Sequence, residues 1–345
     1  MADISASDRD GKLGRELVSH MVTMTRDRIS AMVVENVERN RQYFHHGNSL
    51  ADLRGMTIGQ GDSAIVVAAG PSIKRQNPIK AIKQSGYKGA LVVTESAIFY
   101  SLRNGIVPDL VVTVDPAPIR IIRWFGDPSL TMDSLKTDDY YRRQDMDESF
   151  ANEMRTNQEV LALMDRHAKD MKIALSTGSS EVVVKRVIES GMTPYWWNPM
   201  LDDPDEPDSI TRRIQSQNKF PSVNAGGNIG TACWLMADAV LGKRHVALTG
   251  IDFGYYDDTP YEATQYYPDA VALVGKENLD SLFNRIYNPY LESWFYTDPA
   301  YLWYRDVFLE MAAEAECKTY NCTGGGILFG DGIDFISLES FLERH

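Results

Sequence analysis

Six short stretches carry residue types able to bind or transfer a charged group. Ala69-Gly70-Pro71-Ser72 closes an apolar run. A glycine there permits a tight turn, the following amides face whatever lies above the next helix, and Ser72 adds a hydroxyl. Such a turn can hold a phosphate or carboxylate, or be a plain strand-to-helix connection. Thr94-Glu95-Ser96 and Asp115-Pro116-Ala117-Pro118 follow two further apolar runs. Asp115 offers three alternatives: a partner for a ribose hydroxyl, a ligand for Mg2+, or a turn cap before proline. Ser176-Thr177-Gly178-Ser179-Ser180 supplies hydroxyls or only an N-cap. In Asn224-Ala225-Gly226-Gly227-Asn228, two glycines ahead of an Ala-rich helix either expose amides to an anion or let helix and sheet approach closely. Gly250-Ile251-Asp252-Phe253-Gly254-Tyr255 sets an acid between glycines, where a carboxylate needs a partner such as sugar hydroxyls or a metal. Neither the Walker lysine nor the three-glycine dinucleotide pattern accompanies these turns, so neither an ordinary P-loop nor an NAD site is supported.

These turns need a scaffold that brings them together. Continuous apolar runs suit strands buried on both faces of a parallel sheet. Ala64 to Ala69, Ala90 to Thr94, Leu110 to Val114, Ile173 to Ser176, Tyr195 to Trp197 and Val246 to Thr249 are such runs, with helical stretches between most of them. The alternation predicts a Rossmann-like, doubly wound α/β fold with a mostly parallel sheet. In open sheets of this kind ligands sit beyond the carboxyl ends of the strands, near the reversal of strand order. Strands ending at Gly70, Thr94, Asp115 and Gly250 are therefore expected to open on one cleft.

Three parts of the chain are expected. Residues 1–58 form an N-terminal helical segment, with Leu17, Met21, Met24, Ile29, Met32, Val33 and Val37 at helical spacing. Residues 59–254 form the Rossmann-like core. Residues 255–345 complete the same domain as an aromatic-rich segment and C-terminal extension. Inside the core, residues 126–158 are polar and acid-rich and read as a helical insertion or lid. Residues 255–304 hold 10 of the 17 tyrosines, a load that must pack, cover or bind something. One of Tyr255, Tyr256, Tyr261, Tyr266 and Tyr267 is expected to face the cleft near Gly227.

The whole chain of 345 residues carries a net charge of −13, with 43% hydrophobic and 24% charged residues. That balance gives no support to nonspecific nucleic-acid binding, which rests on neutralising phosphates. No apolar run approaches the roughly 18 residues of a membrane span. Three scattered cysteines fit neither a zinc cluster nor a disulfide framework. A polar, acidic start unlike a signal peptide completes the expectation of a cytoplasmic protein.

Four motifs in order carry a resemblance: Val66 to Ser72, Val107-Pro108-Asp109 through Asp115-Pro116, Gly226-Gly227-Asn228 through Gly250-Ile251-Asp252-Phe253, and Tyr320-Asn321-Cys322-Thr323-Gly324-Gly325-Gly326. Over residues 60–345 the chain resembles the DUF115, or MptE-like, family. That family unites motility accessory factors, which are flagellin glycosyltransferases, with archaeal 6-hydroxymethylpterin diphosphokinases. Gly324 stands where the ending usually has Glu, and Ala225 where a small hydroxyl residue is common. The motility factors are similar to sialyltransferases that use a histidine base, whereas no histidine lies between His245 and His345 here.

The resemblance implies a transferase using a nucleotide-activated sugar, a CMP-linked acidic nonulosonic one, with a flagellin-like protein or a glycan as acceptor and no required cofactor. Gly70, Pro71, Ser72, Thr94, Glu95, Asp115, Gly226, Gly227 and Asn228 would then hold nucleotide and phosphate. Asp252, Tyr255, Tyr256, Tyr261 and Glu262 would be catalytic. The alternative is an Mg2+-dependent transfer of diphosphate from ATP to a hydroxymethylpterin, with Asp115 and Asp252 on the metal. A further alternative is a nucleotide-sugar-binding protein without catalysis.

Overall fold

The computed structural model describes residues 30–117, 121–136 and 153–345. A ten-stranded sheet is its centre. β1 (Asn48–Ser49), β2 (Ser63–Val67), β3 (Ala90–Thr94), β4 (Leu110–Thr113), β5 (Lys172–Ser176), β6 (Thr193–Pro199), β7 (Ser222–Val223) and β8 (His245–Thr249) enter it in that chain order. β9 (Tyr255–Tyr256), β10 (Asn284–Asn288) and β11 (Ser293–Thr297) form a separate antiparallel sheet, and β12 (Lys318–Asn321) and β13 (Ile333–Phe335) return to the large one. Its order is β1-β6-β5-β4-β3-β2-β8-β12-β13, with β7 added beside β6. Every strand pair in it is parallel.

Alternation along the strands divides the core into two layers. Ile65, Val67, Leu91, Val93, Val111, Ile173 and Leu175 face one side, where they pack with Ile79, Phe99, Val160, Val184 and Phe341. Ala64, Val66, Val92, Leu110, Val112 and Leu248 face the other, where Cys233, Trp234 and Phe308 cover them. Both faces are buried, which is why these strands read as continuous apolar runs rather than alternating ones. The Rossmann-like expectation is met.

From β2 the chain winds outward through β3, β4, β5 and β6, then returns to β8 on the opposite side of β2. The strand order therefore reverses between β2 and β8. Those two strands exit in contact: Gly70 N donates to the Gly250 carbonyl at 2.9 Å. Gly250 has φ +70°, and a Cβ on it would stand 2.1 Å from the Ala68 carbonyl oxygen. Only glycine combines that conformation with that approach.

Departures from the sequence reading lie at the edges. In the N-terminal segment a helix covers residues 30–40, followed by 3-10 turns and β1, while Leu17, Met21, Met24 and Ile29 lie outside the described residues. Within 126–158, residues 137–152 lie outside them too. The described Glu153–His167 helix buries Val160 and Met164 in the core, and Asn157 exchanges two hydrogen bonds with the backbone of Asp127. That helix is part of the packed layer. Among the described residues no helix is long and apolar enough to cross a membrane.

Gly250→Ala is expected to cost clearly more than Gly86→Ala. Gly86 has a similar φ of +69° but nothing within 4 Å of an added Cβ, so it should lose only the left-handed penalty of about 1–2 kcal/mol. Equal shifts in urea midpoint at unchanged slope would show that the β2–β8 approach adds no constraint.

Candidate functional site

Asp252 leaves β8 at the reversal point and is 2% exposed. Ser72 satisfies both of its oxygens: the Ser72 amide donates to Oδ1 at 3.1 Å and the hydroxyl to Oδ2 at 2.9 Å. Glycines make the cradle. A Cβ on Gly70 would stand 2.1 Å from Asp252 Oδ2, and one on Gly325 would stand 2.9 Å from Oδ1. Burial pushes the Asp252 carboxyl up to about 7, opposed by the two Ser72 hydrogen bonds and by the Arg75 charge. Ser72 and Asp252 thus share one site, with the Gly324-Gly325-Gly326 loop laid over them. Asn288 Nδ2 donates to the Gly326 carbonyl and Gln76 Nε2 to the Gly324 carbonyl, which fix that loop from two sides.

A second group lies around the carboxyl ends of β3 and β4. Glu95 is 5% exposed and its Oε2 has no hydrogen-bond partner among the described residues. Burial raises its carboxyl to about 8, with the nearby Asp115 charge adding to the rise. Thr113 Oγ1, at the end of β4, is likewise buried without a partner. Asp115 Oδ1 accepts from the Ala117 amide at 2.7 Å, so it closes an Asx turn. Thr94 Oγ1 is bonded to Ser96 Oγ at 2.9 Å.

Gly226 and Gly227, with φ +61° and +79°, precede the Ile229–Leu235 helix. That helix runs over β2, β3 and β4 and continues as the π turn Met236–Val240. Asn228 is its N-cap: its side-chain oxygen accepts from the Thr231 amide at 2.9 Å. Gly230 brings this helix onto Ile251, beside Asp252. The two groups of residues are therefore neighbours along one edge of the sheet.

The side chains nearest Gly227 are Tyr304 and Trp303, both on the Pro299–Glu314 helix. Of the five tyrosines singled out, Tyr266 comes closest to that place through a hydroxyl–hydroxyl bond of 3.1 Å to Tyr304. Tyr255 is buried between Tyr296 and Tyr301, and its hydroxyl accepts from the Gln265 amide. Tyr256 lies under Arg75, whose guanidinium carbon is 3.8 Å from the ring centroid. Tyr261 stacks on Phe283 and donates to Asp280, while Glu262 is exposed on a 3-10 turn. The structure thus brings Gly70, Pro71, Ser72, Asp252 and Tyr256 together, and Glu95, Asp115, Gly226 and Gly227 nearby. It does not bring Tyr255, Tyr261 or Glu262 into either group.

Asn36 and Asn40 are the residues that sequence reasoning missed. Asn36 Nδ2 donates to the Pro116 and Gly178 carbonyls, and Asn40 Nδ2 to those of Thr177 and Ser179. The 30–40 helix thereby caps the carboxyl ends of β4 and β5. Gly178 permits the approach, since a Cβ there would stand 2.8 Å from Val33. The signal was available: two asparagines four apart, interleaved with the buried Val33 and Val37 on one helix face.

The Mg2+ arrangement finds little support in these donors. Both Asp252 oxygens are engaged by Ser72, and among the described residues neither Asp115 nor Asp252 belongs to a group of three possible metal ligands. Asp252 would have to give up its Ser72 hydrogen bonds to join a carboxylate pair on a hard cation.

A doubly wound sheet with glycines packed around its reversal point defines a Rossmann-like α/β protein. Residues 33–124 match the model of the family described as 6-hydroxymethylpterin diphosphokinase MptE-like. The matched segment holds Gly70-Pro71-Ser72, Glu95 and Asp115, in line with the motif resemblance. Among solved structures, the MAf glycosyltransferase from Magnetospirillum magneticum AMB-1 is similar over 97% of this chain, with 14% identity and a TM-score of 0.50. The chain spans about half of that protein, 48% of its length, and at this identity the likeness concerns the fold. No curated protein matches the chain.

Glu95→Gln is expected to change the pH profile of stability. An ordinary glutamate, near 4.5, loses its proton in the unfolded chain while the folded chain keeps it up to about 8. This component is fully present below pH 4.5 and is lost as pH rises toward 8. The variant should match the parent at pH 5 and exceed it at pH 8 in chemical denaturation. A difference that does not grow with pH would mean that Glu95 is charged in the folded protein.

Proposed function

We propose that the protein is a transferase whose activated donor binds at the carboxyl edge of β2, β3 and β4, and that the donor is a nucleotide-linked sugar. The observation that carries this reading is the pair of buried side-chain oxygens Glu95 Oε2 and Thr113 Oγ1, without hydrogen-bond partners among the described residues, at the ends of adjacent strands that the Ile229–Leu235 helix runs over. Buried polar atoms without partners are uncommon in folded proteins and mark places where a ligand completes the hydrogen bonding. The Gly226 and Asn228 amides are bonded within the turn, so a phosphate would meet the helix start just beyond Asn228.

Protonated Glu95 supplies a donor rather than a repelling charge, which matters for an anion entering beside Asp115. The Tyr304 ring edge lies against Gly227, and its hydroxyl, now bonded to that of Tyr266, would turn to donate to the departing phosphate. Donors fixed before the reaction stabilise that developing charge without reorganising. Asp252 acts here as a positioning residue that holds the Ser72 turn. A CMP-linked acidic sugar and a flagellin-like protein or glycan acceptor are the finer form of the proposal, and they rest on the motif resemblance and on the fold shared with the MAf glycosyltransferase.

The second reading, diphosphate transfer from ATP to a hydroxymethylpterin, is favoured by the description of the family matched over residues 33–124. The two readings separate in a thermal-shift panel of CMP, CDP, UDP, GDP and ATP, each with and without Mg2+. The sugar-transferase reading expects a cytidine nucleotide to stabilise most, with little effect of Mg2+. At a hundred times its dissociation constant a ligand adds about 2.7 kcal/mol. Strong Mg2+-dependent stabilisation by ATP would reverse the ranking.

Tyr304→Phe tests the site itself. Loss of a hydrogen bond to a charged phosphate, worth about 1.5–3 kcal/mol, should lower turnover about tenfold or more. Loss of the neutral bond to Tyr266 should lower stability by only about 1 kcal/mol. Full activity in the variant, with the donor found in the panel, would remove Tyr304 from the reaction.

A further inference from the structure

At the opposite edge of the sheet, the amino-terminal ends of β2 and β8 meet the end of the C-terminal helix. Ser63, the first residue of β2, is in register with His245, the first of β8. The Asp62 carbonyl accepts from the amides of Arg244 and His245, so Asp62 and His245 hold a fixed relation. The Leu338–Leu342 helix brings His345 to the same place, where its amide donates to the Phe341 carbonyl. Its ring packs on Phe341 at 4.6 Å and on His245 at 4.4 Å between centroids.

Asp62, His245 and His345 each present a ligand atom, and all three atoms lie within 4.8 Å of one another. Their positions in the chain are far apart, so the fold, not local sequence, gathers them. A second observation concerns the ring orientation. His245 Nδ1 is 3.2 Å from the Tyr320 hydroxyl, which leaves Nε2 as the free nitrogen. Fixing one imidazole nitrogen by an outer hydrogen bond is how metal-binding histidines are commonly oriented.

We propose that Asp62, His245 and His345 bind a divalent ion of the Zn2+ type, with water completing its coordination. Two imidazoles and one carboxylate suit such a borderline ion rather than Mg2+ or Ca2+, which prefer oxygen donors. Ligands about 2.0–2.2 Å from zinc stand roughly 3.4 Å apart. Asp62 is exposed, so its side chain can turn toward the two imidazoles to close that gap. The adjacent Arg244 and Arg344 oppose a cation, so the site stands on its three ligands. A bound ion would fasten the C-terminal helix to the starts of β2 and β8, away from the proposed donor site.

The test is isothermal titration of the tag-free full chain with Zn2+ alone, and separately with Mg2+ alone. One Zn2+ per chain and no Mg2+ binding are expected, together with a higher melting temperature in Zn2+. Asp62→Asn and His345→Ala, both at exposed positions, should each weaken Zn2+ binding by about tenfold or more. Equal Zn2+ affinity in the parent and both variants would overturn the assignment, and so would a parent that binds no Zn2+ at all.

Discussion

The contact between Ser72 and Asp252 is the constraint on which the carboxyl edge depends. Taking a carboxylate out of water is costly unless hydrogen bonds compensate, and here one residue supplies two of them. The result couples three distant parts of the chain: the turn after β2, the turn after β8, and the glycine loop after β12. Gly70, Gly250, Gly325 and Gly326 leave no room for any other arrangement. A Cβ at the last of these would stand 2.0 Å from the Asp252 carbonyl oxygen. The reversal of strand order is therefore built around a closed polar joint.

Beside it stand groups of a different kind. Glu95 and Thr113 are buried as deeply as Asp252 but keep unpartnered atoms. The same low-dielectric surroundings thus produce a satisfied carboxyl in one place and an unsatisfied one in the other. A chain with a net charge of −13 repels anions at long range. Holding Glu95 neutral removes one of the nearest negative charges from the path of such a ligand.

Much of the fold was legible because its signal is local. Runs such as Ala64 to Ala69 and Ala90 to Thr94 announce doubly buried strands, and polar or glycine exits mark their carboxyl ends. The small strands β1, β7 and β13 were not legible, since two or three residues carry no period. The β9–β11 sheet was hidden by its aromatic content, which fits packing and binding equally. For the site, Ser72 and Asp252 were read as partners of a ligand but turned out to be partners of each other, a pairing across 180 residues that no spacing reveals. Tyr304 lay inside the aromatic segment yet outside the cluster that drew notice. Its place beside Gly227 comes from the helix that carries it there, which is a fact of packing.

The asparagine pair on the 30–40 helix has one more consequence. A shortened chain beginning at Gly47 would retain every strand of the sheet and so would look complete by its topology. It would also uncover the four carbonyls of Pro116, Thr177, Gly178 and Ser179, which Asn36 and Asn40 now engage. Hydrogen-bond satisfaction at the carboxyl edge thus reaches back to Asn36, twelve residues ahead of Asn48, where the sheet itself begins.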